Sequence, residues 1–144
     1  MKTKHIAYVA IIVFSIGCKG KTIDPVKATA VELKLAALQN ESKPWSVTSG
    51  SVTKDGFDVS SQFDGFTLTF GEFTYSSKNG LNSAWPSTGT WEFSNDNPNK
   101  ILRNDGVLMD ATVANNSLTL KFRVSDVGGR SNGLDGEYVF VLSE

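Results

Sequence analysis

The sequence predicts a mainly β protein: an antiparallel up-and-down β-barrel with a short N-terminal helix, a β-sandwich being the alternative. Three observations carry this reading. From Trp45 onward apolar residues recur at every second position, the period of a strand with one dry face. Turn dipeptides separate these runs at short intervals. No helical stretch falls between them, which excludes the parallel α/β folds. Seven or eight short strands with short links make a meander, closed as a barrel or stacked as a sandwich. Alternation alone does not separate the two.

The chain opens on a short basic stretch, Met1-Lys2-Thr3-Lys4-His5, followed by an apolar run of eleven residues from Ile6 to Ile16. A bilayer span takes about 20 residues, so the run reads as a signal peptide. Phe14-Ser15-Ile16-Gly17-Cys18 resembles the lipobox of bacterial lipoproteins. Small Gly17 suits the cut site, while Ser15 stands where that family usually carries Leu. The resemblance implies cleavage before Cys18, a diacylglycerol on its thiol and an acyl group on its new amine. More than one acyl chain gives stable anchoring. The expected organisation is residues 1–17 as lipoprotein signal peptide, 18–44 as anchor, linker and helix, and 45–144 as the barrel domain.

Asp24-Pro25 is expected to open the helix, Asp as N-cap and Pro at the first helical position. Helix formers fill Val26 to Glu41. Ala30, Leu33 and Ala37 share one stripe, and Val31, Leu35 and Leu38 lie beside it. Pro44 stops the helix. Alternation then marks Phe66-Leu68-Phe70, Phe73-Tyr75, Trp91-Phe93 and Leu118-Leu120-Phe122-Val124 as dry faces. Val107 to Ala114 and Tyr138 to Leu142 are strand-like with apolar residues on both faces. Asp55-Gly56, Asp64-Gly65, Asn79-Gly80 and Asn115-Asn116 are turns, and Asn104-Asp105-Gly106 is a strong hairpin signal.

Composition excludes more chemistry than it suggests. The single His, His5, and the single Cys, Cys18, both lie in or beside the N-terminal segment. Cleavage would leave 127 of the 144 residues, with no His and with Cys18 first. Such a chain cannot build a Ser-His-Asp triad, a Cys-His dyad, a His or Cys metal cluster or an intramolecular disulfide. No cofactor, no metal and no enzymatic activity are expected. Losing Lys2 and Lys4 leaves 12 of the 14 basic side chains against 15 acidic ones, a net charge of −3. That balance argues against a nucleic-acid partner.

Asp105, Asp110, Asp126 and Asp135 are isolated carboxylates that could pair for glycoside chemistry. Asp110, mid-strand, is the least explained by turn chemistry. Asp96 sits in an Asx-rich turn without the full calcium-loop pattern. Gly128-Gly129-Arg130-Ser131-Asn132-Gly133 lacks phosphate-loop spacing and opens no helix. Aromatics are more telling. Trp45, Trp85, Trp91, Tyr75 and Tyr138 are candidate contacts for an apolar ligand, with core packing as the competing role for each. Trp85-Pro86 falls in a connection, where the Trp is either a lid or a residue folded over a barrel end.

The order of several short motifs resembles the lipocalin-like domains of small Bacteroidetes lipoproteins. They are Trp45 after a helix, Gly89-Thr90-Trp91-Glu92-Phe93, Arg103-Asn104-Asp105-Gly106, Leu118-Thr119-Leu120, Gly128-Gly129-Arg130 and Gly136-Glu137-Tyr138-Val139-Phe140. Lys43 stands where lipocalins carry a Gly before the first-strand Trp. The resemblance implies a barrel whose interior holds a small apolar ligand. It also implies an Arg packed on that Trp, a role for Arg123 or Arg130. Arg123 and Asn82 would supply polar groups near a mouth. The leading expectation is therefore a membrane-anchored lipoprotein binding a small hydrophobic ligand. The alternative is a non-enzymatic envelope lipoprotein with a packed barrel that contacts another envelope protein. Lys19-Gly20-Lys21 lacks the acidic run that resembles a surface-export tag in some Bacteroidetes-type lipoproteins, so the protein is expected to face the periplasm; the expected location is the cell envelope, at the outer membrane.

Overall fold

A computed structural model describes residues 27–82, 84–125 and 133–144. The signal segment, Cys18, Asp126 and Arg130 lie outside these residues. Helix α1 spans Ala30–Gln39. Its start differs from the expected Asp24-Pro25: Lys27, Ala28 and Thr29 are not helical, and Thr29 is the N-cap. The reason is a capping box. Thr29 Oγ1 accepts from the Glu32 backbone N–H at 3.2 Å, and the Glu32 carboxylate accepts from the Thr29 N–H at 2.7 Å. This satisfies two otherwise orphaned donors reciprocally, which a lone Asp cap does not. Replacing Thr29 by Ala should lower the unfolding free energy by about 1 kcal/mol in a urea titration. Asn40 ends the helix in the left-handed region, before Pro44. Of the two apolar stripes, Val31, Leu35 and Leu38 meet the barrel, whereas Leu33 is largely exposed.

The strands are β1 (Trp45–Lys54), β2 (Phe57–Asp58), β3 (Thr67–Phe70), β4 (Thr74–Lys78), β5 (Thr88–Phe93), β6 (Lys100–Arg103), β7 (Leu108–Ala114), β8 (Ser117–Val124) and β9 (Gly136–Ser143). Every neighbouring pair is antiparallel. β1 pairs with β3 through Trp45↔Leu68 and with β9 through Val52↔Phe140. The first and last long strands thus join, and the sheet is a closed eight-stranded barrel rather than a sandwich. β2 is a short flap on the end of β1. β1 changes register against β9 between Ser46 and Ser51. Gly50 lies in that shift, and a Cβ there would stand 1.8 Å from the Val141 carbonyl oxygen. Only glycine lets the two backbones approach so closely.

The turn dipeptides act as read. Asp55 and Gly56 both hold positive φ (+49° and +83°) between the paired Lys54 and Phe57, the twist a two-residue hairpin needs. Asn115-Asn116 links Ala114 to Ser117, with Asn115 at positive φ (+51°). One alternation is corrected. β4 begins at Thr74, its dry face is Tyr75 and Ser77, and Phe73 is exposed in the preceding turn at φ +58°.

The meander sorts the connections to two ends. At one end lie α1, the turn before β4, the loop between β5 and β6, and the Asn115-Asn116 turn. Leu38 enters the core there, and its carbonyl accepts from Trp45 Nε1 at 2.9 Å. At the other end lie the 3-10 turn Ser60–Phe63, the 79–87 loop and the Asn104-Asp105-Gly106 hairpin. Phe63 and Trp85 enter the core from that side.

Candidate functional site: the barrel interior and its rim

Inward-facing strand residues together with the Ser60–Phe63 turn and the 79–87 loop bring aromatic rings into two groups, Phe73 joining the second from the rim. The larger contains Phe63, Phe66, Tyr75, Trp85, Phe122, Tyr138 and Phe140. Trp85 is its hub, 5.3 Å from Phe122, 5.8 Å from Tyr75, 6.0 Å from Phe140 and 6.1 Å from Phe66, ring centre to ring centre. Phe63 meets Phe140 edge-on at 4.9 Å, and Tyr138 stacks on Phe122 at 5.7 Å. Such edge-on and offset contacts are the favoured aromatic geometries. The second group is Trp91 with Phe70, Phe73 and Phe93, at 5.0–5.5 Å. The Trp91 indole donates to the Thr74 carbonyl at 3.0 Å.

Trp85 reaches the interior because the 79–87 connection folds inward. Its backbone N–H bonds the Gly80 and Leu81 carbonyls, and Ser77 Oγ donates to the Pro86 carbonyl at 2.9 Å. Trp85 is 1 % exposed, and its Nε1–H has no hydrogen-bond partner among the described residues. Against it lies Arg103. The guanidinium carbon stands 4.7 Å from the Trp85 ring centre and 5.7 Å from that of Phe122. Arg103 Nη1 donates to the Ala84 carbonyl at 3.1 Å, while Nε and Nη2 grip both carboxylate oxygens of Asp105 at 3.0 and 2.5 Å. A buried charge demands this kind of bidentate, stacked environment. Burial pushes the Asp105 carboxyl up, but hydrogen bonds and charge from Arg103 outweigh it and hold the group below the usual range. Burial raises the Tyr75 and Tyr138 phenols, and the Tyr138 hydroxyl donates to the Leu134 carbonyl at 2.9 Å.

Of the residues singled out from sequence, Trp85, Tyr75 and Tyr138 share the larger ring group. Trp91 heads the second group, and Trp45 ties β1 to α1. Arg123 does not face the interior: it is exposed, between buried Phe122 and Val124. Among the described residues the buried arginine is Arg103, and its ring is Trp85 rather than Trp45. Its signal was legible, since Arg103 shares the inward register of Ile101, with a turn aspartate two residues on. Asn82 is exposed in the 79–87 loop.

Asp105 and Asp110 are structurally engaged, the first with Arg103 and the second with Lys100. Asp110 and Lys100 are cross-strand partners, ion-paired at 2.5 Å on the exposed face of β6 and β7. That pairing accounts for a mid-strand aspartate. Among the described residues, no group of three His, Cys, Asp or Glu side chains is placed to hold a metal. No described helix is long and apolar enough to cross a membrane. At the α1 end, a rim groove of about 440 Å³ is lined by Val31, Phe73, Trp91, Glu92, Phe93 and Asp96. Compared with known proteins, the chain matches no family model, no curated protein and no solved structure.

Proposed function

We propose that this protein is a non-enzymatic, lipid-anchored envelope protein whose barrel is a packed scaffold presenting its surface to another envelope protein. One observation carries the reading: the space a barrel ligand would occupy is filled by the ring group around Trp85, with Phe63 and Trp85 entering from one end and Leu38 from the other. Interiors packed to this degree have no room for a drug-sized ligand, which needs a few hundred Å³. Anchoring rests on the sequence around Cys18.

Burial of a small apolar ligand is the second reading. It requires the 79–87 loop to lift Trp85 out. On its side stands the unpartnered Trp85 indole N–H, which sacrifices no protein hydrogen bond on leaving. Titration with a long-chain fatty acid separates the two. The scaffold reading expects no saturable quenching of tryptophan fluorescence, and one-to-one quenching centred on Trp85 would overturn it. In the same cells, metabolic labelling with palmitate should mark the wild type and not Cys18→Ser. The variant should also leave the membrane fraction. Equal labelling and membrane recovery of the two proteins would remove the anchor.

A further inference from the structure

We propose that the rim groove beside α1 holds a basic segment of a partner protein. One Arg or Lys side chain of that segment lies on Phe73 and Trp91, its charge toward Glu92 and Asp96. The proposal rests on the scaffold reading and names the surface through which it would act.

Phe73 is the first reason. It sits in the turn before β4 at φ +58° and is 42 % exposed. A left-handed backbone is cheap for glycine and costly for a bulky residue, and an exposed ring forgoes burial. Barrel packing requires neither cost, because Phe73 lies outside the buried core. What the residue does provide is a ring 5.5 Å from Trp91 and tilted by 52°, which carries the aromatic surface of Trp91 out to solvent.

Charge is the second reason. Glu92 and Asp96 flank the rings, and no Lys or Arg lines the groove. Asp110, Glu137 and Glu41 are paired, with Lys100, Lys121 and Lys43. Among the described residues Glu92 and Asp96 form no ion pair. Aromatic faces beside uncompensated carboxylates complement a cation on an apolar stem. Arginine, which stacks as well as pairs, fits best. Size is the third reason. At about 440 Å³ the groove takes one or two side chains of an extended segment.

The test uses the full chain in detergent and the indole N–H signals of its three tryptophans, with Trp91→Phe identifying that of Trp91. The probe is a short capped peptide carrying Arg and Lys between leucines. Matched peptides carry Gln or Glu in place of the basic residues. The basic peptide should shift the Trp91 signal saturably, and the other two should not. Glu92→Gln with Asp96→Asn should weaken binding by about tenfold. Phe73→Gly should weaken it similarly while keeping or raising the unfolding midpoint, since it relieves the backbone. Equal binding of all three peptides, or no saturable Trp91 shift, would overturn the proposal. A Trp91 signal that moves with protein concentration alone would mean that a second copy fills the groove, and would also overturn it. So would a shift on changing Lys19 and Lys21 to Gln without peptide, which would assign the groove to the chain's own basic segment. Failure here leaves the scaffold reading standing, because that reading is tested separately, by fatty-acid binding and by substitution at Trp85.

Discussion

Trp85→Ala is expected to lower the unfolding free energy by about 3–5 kcal/mol, the usual cost of deleting a buried Trp or Phe side chain. The substitution removes the hub ring that touches Phe66, Tyr75, Phe122 and Phe140. It also uncovers the Arg103 guanidinium, which loses its closest ring. A domain of this size is stable by only about 5–15 kcal/mol, so the loss is a large fraction of the whole. Trp85→Phe keeps a ring in place and discards an indole N–H that has no acceptor among the described residues. Its cost should stay below about 1.5 kcal/mol. Urea unfolding followed by far-ultraviolet circular dichroism measures both variants. A loss under about 1 kcal/mol for Trp85→Ala would contradict a structural plug and favour a mobile lid.

The second large effect is at Asp105. Asp105→Asn leaves Arg103, whose side chain is 1 % exposed, without its counter-charge. Breaking a buried pair on one side costs about 3–5 kcal/mol. Asp105 keeps a third of its side chain in water, so about 2–3 kcal/mol is expected after allowing for solvent screening. The pH dependence has a definite sign. Asp105 ionises more readily in the folded state, so the unfolded chain binds the proton first as acid is added. Its contribution is complete above the ordinary aspartate range, near pH 4, and is lost as pH falls through and below it. The Asn variant should lack this part of the acid dependence. Adding Arg103→Met to Asp105→Asn should recover stability, because it removes the stranded charge. A double variant no more stable than Asp105→Asn would refute the buried pair.

Much of the barrel was legible because its cause is local. The alternation of Leu118, Leu120, Phe122 and Val124 states which face is dry, and Asp55-Gly56 states where the chain reverses. The helix start was misplaced for an equally local reason: the reciprocal Thr29–Glu32 pair caps a helix that begins at Ala30, while Asp24 and Pro25 lie outside the described residues. Phe73 shows the limit of periodicity. It has the right spacing for the dry face of β4, but the turn before that strand takes it at positive φ and rotates its ring to the rim.

The site was legible by residue type and not by placement. Aromatics could be named as inward, yet whether they line a cavity or fill one depends on how rings from six separate segments meet. Trp85 carried no periodic signal at all, because it lies in a connection. Its burial follows from hydrogen bonds between the 79–87 loop and β4 that involve no side-chain pattern. Arg103 had the correct register, but its partner ring comes from that same loop.

By itself, then, the sequence determined the strand faces, the turns, the absence of His and Cys chemistry from the barrel region, and the expectation of an anchor at Cys18. Those are matters of residue type and near-neighbour geometry. Tertiary structure alone decided that β1 joins β9, that the arginine under Trp85 is Arg103, and that rings from separate segments gather around Trp85. Closure, stacking and filling are relations between residues distant in the chain, and their energies exist only once the backbone has brought those residues within contact distance.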